Sequence, residues 1–507
     1  MVIPPVTGTP PHGVLRVATS GTRSHLSRLA RSGRAFLLAP RLYVEGATLP
    51  PEAAARHHVL AVVEHVWPGG AVLCDRSGLH GPTPVNGWMF LCHPDPPRRA
   101  DLVLPGLVLS PRLGPGPLPG DIALGVGQVH MAGSARSLVE NISAAGRPTA
   151  GRPARRAGTA VVEDRMDQEA RTGGAGRIRT LLSELDVIAG SLPARPVEVV
   201  RARLAELLGT RTGRIPASAL LAARLDGEPF DAHRLGLLSS LVTTLARTAP
   251  LPRPALGDSW QWEAFFEAYF SNYIEGTEFS VDQARRIAVD GEIPASRPKD
   301  AHDVAATHRL ISDSQLARQT PTTGDELLEL LRERHAVLMA ARPEKRPGQF
   351  KEVDNYASGY RFVEPGLLNG TLRHGFNAIS GLTDPLHRAI AMMFLLTECH
   401  PFDDGNGRVA RLLANAELSK AGQVRLIIPT VYRNNYLAAL SGTSQGAGAG
   451  ESLISTLTFA QQWTAAIDWS TYERARAEVE LSNGFLDPAI GENSGRRPRL
   501  PAGQPTL

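Results

Sequence analysis

Twelve consecutive residues in the C-terminal part of the chain determine how its sequence is interpreted: His400-Pro-Phe-Asp-Asp-Gly-Asn-Gly-Arg-Val-Ala-Arg411. They lie between two segments of helical patterning, LHRAIAMMFLLTEC and RVARLLANAEL. Gly405, Asn406 and Gly407 come directly before the second helix. Such a position offers backbone that turns with positive φ, amides that no bulky side chain shields and the positive end of the helix dipole. The stretch therefore predicts a binding site for an anion, and phosphate is the ligand that it favours.

The charged residues of the same stretch extend this prediction. Arg408 and Arg411 are three residues apart on the first turn of the helix, so we expect both to bind the oxygens of a di- or triphosphate. Asp404 adds a hard oxygen ligand, and Mg²⁺ is usually held by one or two carboxylates together with substrate phosphates. His400 can act as a base near neutral pH. A base, a metal ligand and a polyphosphate site thus fall within one short run.

The run HPFDDGNGRVAR resembles, residue by residue, the Fic (Fido) motif HPFx(D/E)GNGRxxR. Proteins of this family transfer AMP from ATP to a hydroxyl side chain of a target protein. A wider resemblance extends from about residue 260 to residue 465 and includes RHAVLM around His335, PGQFK ending at Lys351 and NNYLAAL around Tyr436. Lys351 stands where relatives commonly have arginine. The resemblance implies an all-α core with a β-hairpin flap.

The resemblance also implies roles for individual residues, with ATP as the substrate and Mg²⁺ as the metal ion. His400 would deprotonate a Ser, Thr or Tyr hydroxyl of the target, which then attacks the α-phosphorus of ATP and expels pyrophosphate. Asp404 would hold Mg²⁺ between the α- and β-phosphates. The nucleotide would be bound by an anion hole and by two arginines that neutralise the β- and γ-phosphates: Gly405, Asn406, Gly407, Arg408 and Arg411.

Three aromatic residues receive roles by the same resemblance. Phe402 would anchor the motif loop in the core. Tyr360 lies in the flap, residues 359–363, which would align the target backbone by strand addition and lean over the adenine. Tyr436 would lie near the adenine base of ATP.

A second motif lies upstream, at Ser271-Asn-Tyr-Ile-Glu275-Gly276, and resembles the family's inhibitory motif (S/T)xxxE(G/N). The resemblance implies that Glu275 pairs with Arg411 and occupies the place of the γ-phosphate oxygens. ATP would then bind with its α-phosphate turned away from attack. In some relatives the same glutamate positions a water that removes AMP from the target.

The N-terminal part begins with a short helical pattern at residues 22–32, followed at once by the hairpin-like run RAFLLAPRLYV, which is typical of a winged helix. Residues from about 15 to 145 resemble AbiEi-type antitoxins. If this resemblance holds, five basic residues lie on or beside a recognition helix and could contact DNA: Arg23, His25, Arg28, Arg31 and Arg34. The alternative is a winged helix that makes only protein contacts.

With 507 residues the chain is long enough for about three domains. We expect a multidomain, mainly α protein, whose all-α Fic core follows an α+β winged-helix-like region. The predicted regions are a winged-helix/AbiEi-like region at 1–145, an Arg/Gly/Pro-rich loop or linker at 146–168, a helical connector at 169–255, the Fic domain with its inhibitory helix at 256–470, and a C-terminal helix and tail at 471–507.

The composition excludes several classes of protein. Hydrophobic residues make up 42% and charged residues 21% of the chain, which excludes a disordered polypeptide. No apolar run reaches the roughly 20 residues of a membrane span, and the N-terminus lacks the pattern of a signal peptide. Cys74, Cys92 and Cys399 are widely spaced, which predicts reduced thiols and no zinc cluster. A net charge of +4 is weak evidence for nucleic-acid binding, and we expect a cytoplasmic protein.

Two classes of function remain open at this point. The first is an autoinhibited adenylyltransferase whose partner is a target protein with a hydroxyl side chain. The second is a nucleotide-sensing, DNA-binding regulator or antitoxin-like protein with little transferase activity. A Fic transferase that uses another donor, or that removes AMP, is a variant of the first. DNA and a second copy of the chain are further possible partners, and a membrane is not expected.

Overall fold

The structure, a computed structural model, describes residues 10–149, 151–249 and 260–500. It divides the chain into two compact units, Met1–Asp226 and Gly227–Leu507. Parts of the predicted regions lie outside the described residues: the first nine residues, residue 150 of the predicted loop, residues 250–255 of the predicted connector, residues 256–259 of the predicted Fic domain and residues 501–507 of the predicted tail. Within the described residues, no helix has both the length and the apolar composition needed to cross a bilayer.

The first unit combines two β-sheets with helices. In chain order its elements are β1 (Val14–Val17), α1 (Arg23–Arg31), β2 (Ala35–Ala39), β3 (Leu42–Glu45), α2 (Pro51–Val66), β4 (Val72–Leu73), α3 (Asp75–His80), β5 (Trp88–His93), β6 (Leu102–Leu104), β7 (Leu107–Leu113), β8 (Ile122–Ala123), β9 (His130–Met131), α4 (Ser134–Asn141), α5 (Thr159–Ile188), α6 (Ala194–Leu207) and α7 (Ala219–Leu225).

The predicted order of helix and hairpin at the N-terminus is present. Helix α1 is followed by the antiparallel hairpin β2–β3, and β1 pairs with β3 to complete a three-stranded sheet. A six-stranded sheet follows, with strand order β6-β7-β5-β4-β9-β8 and with parallel pairing of β5 to β7 and of β4 to β9. Strands β4 and β5 pair antiparallel at its centre.

Strands β6 and β7 form a hairpin, in which Pro105 and Gly106 make the turn and Gly106 has φ +64°. The predicted loop at 146–168 ends at Gly158, where α5 begins. Arg155 of this segment is bound to the rest of the unit, since it donates to Asp75 at 3.0 Å and to the Ser110 hydroxyl at 2.7 Å.

The segment predicted as a helical connector, 169–255, is largely helical over its described residues, 169–249, but does not form one body. Its first part, in α5 to α7, belongs to the first unit, and α8 (Ala232–Arg247) belongs to the second. Helix α5 is broken at Gly174, whose φ of +56° and ψ of −158° are open to glycine and rarely adopted by other residues.

The second unit is almost entirely helical. After α8, its elements are α9 (Trp260–Ile274), α10 (Val281–Ala288), α11 (Pro298–Ser312), α12 (Gly324–Leu338), β10 (Tyr356–Ala357), β11 (Tyr360–Arg361), α13 (Leu368–Ser380), α14 (Pro385–Cys399), α15 (Asn406–Lys420), α16 (Arg433–Ser444), α17 (Glu451–Ala465), α18 (Tyr472–Leu481) and α19 (Pro488–Ser494). The two helical segments predicted beside the motif, residues 386–399 and 408–418, lie within α14 and α15.

Helix α14 is the centre of this unit. Its sequence is apolar on all sides, as expected of a helix that neighbours surround, and it packs against α8, α13, α15 and α17. The sequence analysis did not predict helix α13 (Leu368–Ser380). Its glycines are needed for close packing: a Cβ on Gly370 would lie 2.4 Å from the Pro229 carbonyl oxygen, and one on Gly375 would lie 2.5 Å from Leu395. The observed hairpin is short and spans only β10 and β11.

A buried ion pair joins α9 to the segment after α15. The Arg425 guanidinium lies 2.9 Å from the Glu267 carboxylate and also donates to the Ser419 hydroxyl at 2.9 Å. Asn415 of α15 donates to the same carboxylate at 2.8 Å. Because Glu267 and Arg425 are both fully enclosed, the contact fixes the position of α9 on α15.

Replacing Glu267 with alanine leaves the Arg425 charge buried without its carboxylate. We expect Glu267→Ala to lower the free energy of unfolding of the second unit by about 3–5 kcal/mol, as measured by urea denaturation of the full chain. The exposed Glu329 of α12 provides the control, and Glu329→Ala should change stability by less than about 0.5 kcal/mol. Equal stabilities of the two variants would contradict this role of the ion pair.

Candidate active site

His400 follows directly on α14 and has left-handed backbone geometry, with φ of 48°. Its ring stacks on that of Phe362, with 3.9 Å between the ring centroids. Its Nδ1 lies 3.3 Å from the Thr397 carbonyl oxygen. Because a carbonyl only accepts, Nδ1 carries the proton and Nε2 keeps its lone pair. Burial lowers the pKa of His400 to about 4, although the bond to Thr397 acts in the opposite direction. The imidazole is therefore neutral at physiological pH and able to accept a proton.

The loop after His400 is anchored by Phe402, as predicted. Phe402 is fully buried and stacks face to face on His335 of α12, with ring centroids 3.7 Å apart. Gly348 donates its N–H to His335 Nδ1 at 2.9 Å, so His335 is neutral, and its Nε2–H donates to the Asp404 carbonyl at 3.1 Å. Burial lowers the pKa of His335 to about 4.

Lys351 and Asn355 hold the other side of the loop. The Lys351 ammonium donates to the Cys399 carbonyl at 3.0 Å and to the Asn355 side-chain oxygen at 2.7 Å. Asn355 in turn donates to the carbonyl groups of His400 and Phe402 at 3.1 and 3.0 Å. Burial lowers the pKa of Lys351 to about 8. The sequence identified Lys351 only by resemblance and gave no signal for Asn355, because its role depends on contacts across 45 residues of chain.

The predicted anion site is the N-terminus of α15. Gly405 has φ of +75° and precedes the first helical residue, Asn406. The Asn406 side chain is turned inward, where it exchanges two 2.8 Å hydrogen bonds with the backbone of Phe402. What Asn406 offers to an anion is therefore its backbone N–H, which belongs to the first turn of the helix and has no intrahelical partner.

Five predicted site residues line one cavity of about 390 Å³: Glu275, His400, Gly407, Arg411 and Tyr436. The hairpin and α16 supply most of the remaining wall, which includes Tyr360, Phe362, Leu437 and Leu440. The cavity therefore has a charged end, at the first turns of α15, and a more apolar end between the hairpin and α16.

Arg411 lies at the charged end and is almost completely buried. Its guanidinium donates to the Ser271 hydroxyl at 2.9 Å, to the Ser271 carbonyl at 2.8 Å and to the Glu275 carboxylate at 2.6 Å. Glu275 follows α9 and is one-third exposed. A Cβ on Gly407 would lie 2.2 Å from the Glu275 carboxylate oxygen, so this carboxylate rests directly on the first turn of α15.

Arg408 does not share the position of Arg411, contrary to the prediction of a two-arginine site. The Arg408 guanidinium is buried 3.1 Å from the Asp303 carboxylate of α11 and 3.2 Å from the Met339 sulfur. Residues three apart on a helix point in different directions by about 60°, which is enough for a buried carboxylate on a neighbouring helix to bind one of them. Nothing in the sequence indicated that Asp303 would bind Arg408.

Asp404 and Tyr436 lie on either side of this arrangement. The Asp404 carboxylate accepts the Gly405 N–H at 2.7 Å and is partly exposed beside the start of α15. Tyr436 is buried next to Arg411 and Glu275, whose charges act on its pKa, and burial raises that pKa. Tyr436 is therefore close to the charged end of the cavity.

Residues 325–418 match the Fic/DOC family. We call this segment, which matches the family model, the Fic domain. Protein adenylyltransferase fic-1 of Caenorhabditis elegans is 31% identical over 191 residues, which are 36% of this chain and 37% of that protein. Protein adenylyltransferase Fic of Drosophila grimshawi is 32% identical over 195 residues, which are 36% of this chain and 39% of that protein. A solved structure of Fic-1 from C. elegans aligns with 59% of this chain and 86% of its own, at 19% identity and a TM-score of 0.34. The chain thus spans less than half the length of these curated relatives.

The hairpin of the Fic domain is held over the cavity by a glutamate that the sequence analysis missed. Glu398 precedes His400 by two residues and accepts from the Tyr360 hydroxyl, from Arg234 at 2.5 Å and from the Ser444 hydroxyl at 2.5 Å. The Arg234 guanidinium also lies 4.3 Å from the centroid of the Tyr360 ring. One buried carboxylate therefore connects the hairpin with α8, α14 and α16.

The neutral state of His335 makes the Fic domain sensitive to acid. The neutral His335 ring already carries one proton, on Nε2. It takes up a second proton near pH 6.5 in the unfolded chain but only near pH 4 in the folded protein. Stability is therefore lost as the pH falls through this interval, by up to about 3 kcal/mol for this group. Because other histidines titrate as well, the comparison with His335→Gln isolates its share.

We expect His335→Gln to be less stable than the wild type at neutral pH, since its side chain cannot stack on Phe402 as a ring does. Between pH about 7 and about 4.5, however, the variant should lose less stability than the wild type, as measured by urea denaturation across this range. Parallel pH profiles of the two proteins would show that His335 is not the titrating group.

Proposed function

We propose that the Fic domain is an autoinhibited protein adenylyltransferase, which transfers AMP from ATP to a Ser, Thr or Tyr hydroxyl of a target protein. One observation carries this proposal: His400, neutral and with Nε2 unprotonated, lines the same cavity as Gly407 at the start of α15 and as Arg411. The similarity to proteins named as adenylyltransferases supports the same conclusion.

In the proposed reaction, His400 Nε2 takes the proton of the target hydroxyl while the hydroxyl oxygen bonds to the α-phosphorus and the bond to pyrophosphate breaks. Thr397 orients the ring through Nδ1, and Phe362 covers one of its faces. The backbone amides at the start of α15, with Gly407 nearest the cavity, stabilise the negative charge that develops on the phosphate oxygens. This chain thus contributes a base, the contacts that orient the base, and an anion site.

The residues present fit a magnesium ion. Mg²⁺ takes only one or two protein carboxylates, with phosphate oxygens and waters as its other ligands, and Asp404 supplies one carboxylate at the edge of the anion site. When bound there, the metal ion would neutralise charge on the phosphates. Among the predicted arginines, Arg411 is the one that lines the cavity, so we assign the γ-phosphate contact to it and a structural role to Arg408.

The autoinhibition in this proposal follows from the two demands on Arg411. Its guanidinium already binds Glu275, and the Glu275 carboxylate lies where the first turn of α15 would meet phosphate oxygens. Two anionic groups cannot share this place without repulsion, so nucleotide in the reactive position requires Glu275 to leave. Glu275 is exposed enough to move without opening the core.

Removal of Glu275 tests this proposal directly. We expect Glu275→Gly to increase auto-AMPylation with ATP and Mg²⁺ by about 10- to 100-fold, since a hydrogen-bonded charge pair contributes about 1.5–3 kcal/mol. The double variant Glu275→Gly with His400→Ala should show no adduct. Intact-mass spectrometry measures the labelling, and the added mass distinguishes AMP from another donor.

Glu278→Gly is the matched control, because Glu278 is an exposed glutamate three residues further along. It should label as slowly as the wild type. Equal labelling of wild type and Glu275→Gly would contradict autoinhibition, and the absence of an adduct under all conditions would favour a nucleotide sensor without transferase activity.

The contacts of Tyr360 predict a role in positioning the hairpin. In the Glu275→Gly background, Tyr360→Phe removes the hydroxyl that binds Glu398 but keeps the ring. We expect a decrease in kcat/KM for AMPylation of about tenfold, which corresponds to the loss of about 1–2 kcal/mol. Tyr356→Phe is the control on the same hairpin, since Tyr356 is 60% exposed, and it should retain its rate. Equal rates for the two variants would remove the proposed role of the Glu398 contact.

A second function is proposed for the first unit, namely DNA binding through α1. The five basic residues predicted for this role are all exposed, whereas Leu26 and Leu29 on the other side of α1 are buried. An exposed basic face suits contact with phosphates. Retention on duplex DNA that decreases with salt, and that is lost when Arg28 and Arg31 are both replaced with alanine, would support the proposal. Salt-independent behaviour would favour a protein-contact role.

A further inference from the structure

Two thiols and a carboxylate meet inside the first unit. Cys74 directly follows β4, Cys92 lies in the adjacent antiparallel strand β5, and Glu140 lies in α4. All three side chains are buried, and their two sulfur atoms and one carboxylate oxygen lie within 4.8 Å of one another. The spacing of the cysteines in the sequence gave no indication of a metal cluster, because it is the pairing of β4 with β5 that brings them together.

We infer that Cys74, Cys92 and Glu140 form a binding site for a zinc ion. Zinc favours thiolate sulfur together with nitrogen or oxygen ligands in a tetrahedral arrangement. A carboxylate oxygen of Asp75 lies 3.3 Å from the Cys74 sulfur, next to these three donors. The harder ions Mg²⁺ and Ca²⁺ prefer oxygen ligands alone.

The charges around the site are balanced in a way that permits the ion. Arg112 and Arg155 pair with Asp75, and Arg136 pairs with Glu140 and Asp121. Three buried or half-buried cations thus face three carboxylates, and the network is neutral when both thiols are protonated. Binding of one divalent cation with release of the two thiol protons leaves this neutrality unchanged. A buried cluster therefore gains the ion without gaining a net charge, which would be costly.

The surroundings also orient the ligands. Arg136 donates to the Cys92 sulfur at 3.1 Å, and such a hydrogen bond orients a metal-bound thiolate and stabilises its charge. The Asp75 backbone N–H donates to Glu140 at 3.1 Å. Asp75 has φ of 52°, a conformation that costs a non-glycine residue energy and is retained where the surroundings require it. Asp75 and Glu140 line a cleft of about 540 Å³, which offers a path for the ion.

The test is the metal content of the full-length protein after expression with zinc and removal of free metal by gel filtration. We expect about one zinc per chain in the wild type and in Cys399→Ser, and little in Cys74→Ser or Cys92→Ser. Cys399 is the matched control, because it is the third buried cysteine and lies in the Fic domain. Absence of zinc from the wild type, or retention of zinc by Cys74→Ser, would overturn the site.

A second measurement does not depend on how well the variants fold. Wild-type protein loaded with Co²⁺ should show the intense near-ultraviolet absorption of cobalt–thiolate bonds, and so should Cys399→Ser. Oxidation by hydrogen peroxide provides the opposing outcome. If peroxide, reduced to water, converts the Cys74 and Cys92 thiols to a disulfide in protein that binds no Co²⁺, the pair is a redox pair and the zinc site is wrong.

Discussion

The arrangement of the Fic domain depends on the burial of one cation, the Arg411 guanidinium, on the first turns of α15. A buried guanidinium requires anionic or carbonyl partners, and α9 supplies them through Ser271 and Glu275. The buried ion pair of Glu267 and Arg425 holds α9 in the position where Ser271 and Glu275 reach Arg411. In the proposed function, the γ-phosphate of ATP binds the same guanidinium. ATP must therefore displace Glu275 from Arg411 before it can react.

His400 owes its orientation to contacts that leave its reactive nitrogen free. The loop from His400 to Gly405 is fixed through its backbone, by His335 on one side and by Lys351 with Asn355 on the other. Glu398, two residues before His400, fixes the hairpin in addition. None of these contacts uses His400 Nε2 or the first amides of α15. Such a division between supporting and reacting groups is what preorganisation for group transfer requires.

The sequence predicted the helices around the motif and the proximity of His400, Gly407 and Arg411, because an unbroken motif and a strongly apolar α14 are local signals. The pairing of Glu275 with Arg411 was implied only by the resemblance to the family's inhibitory motif. It did not predict the direction of Arg408, since the buried Asp303 that binds it lies on α11, about a hundred residues upstream. Helix α13 was missed because its glycines lower helix propensity, while their purpose is close packing against residues distant in the chain. Glu398, Asn355 and the pairing of Cys74 with Cys92 depend equally on long-range contacts. Local sequence patterns do not indicate contacts between residues that are distant in the chain.

The claim that Glu275 and the terminal phosphate of ATP compete for Arg411 is tested most directly by calorimetric titration of wild type and Glu275→Gln with ATP and with AMP. AMP lacks the phosphates that would reach Arg411. The account predicts that Glu275→Gln binds ATP about tenfold or more tightly than the wild type does, whereas the affinity for AMP is the same in both proteins. An equal change in both affinities, or no change in either, would contradict it.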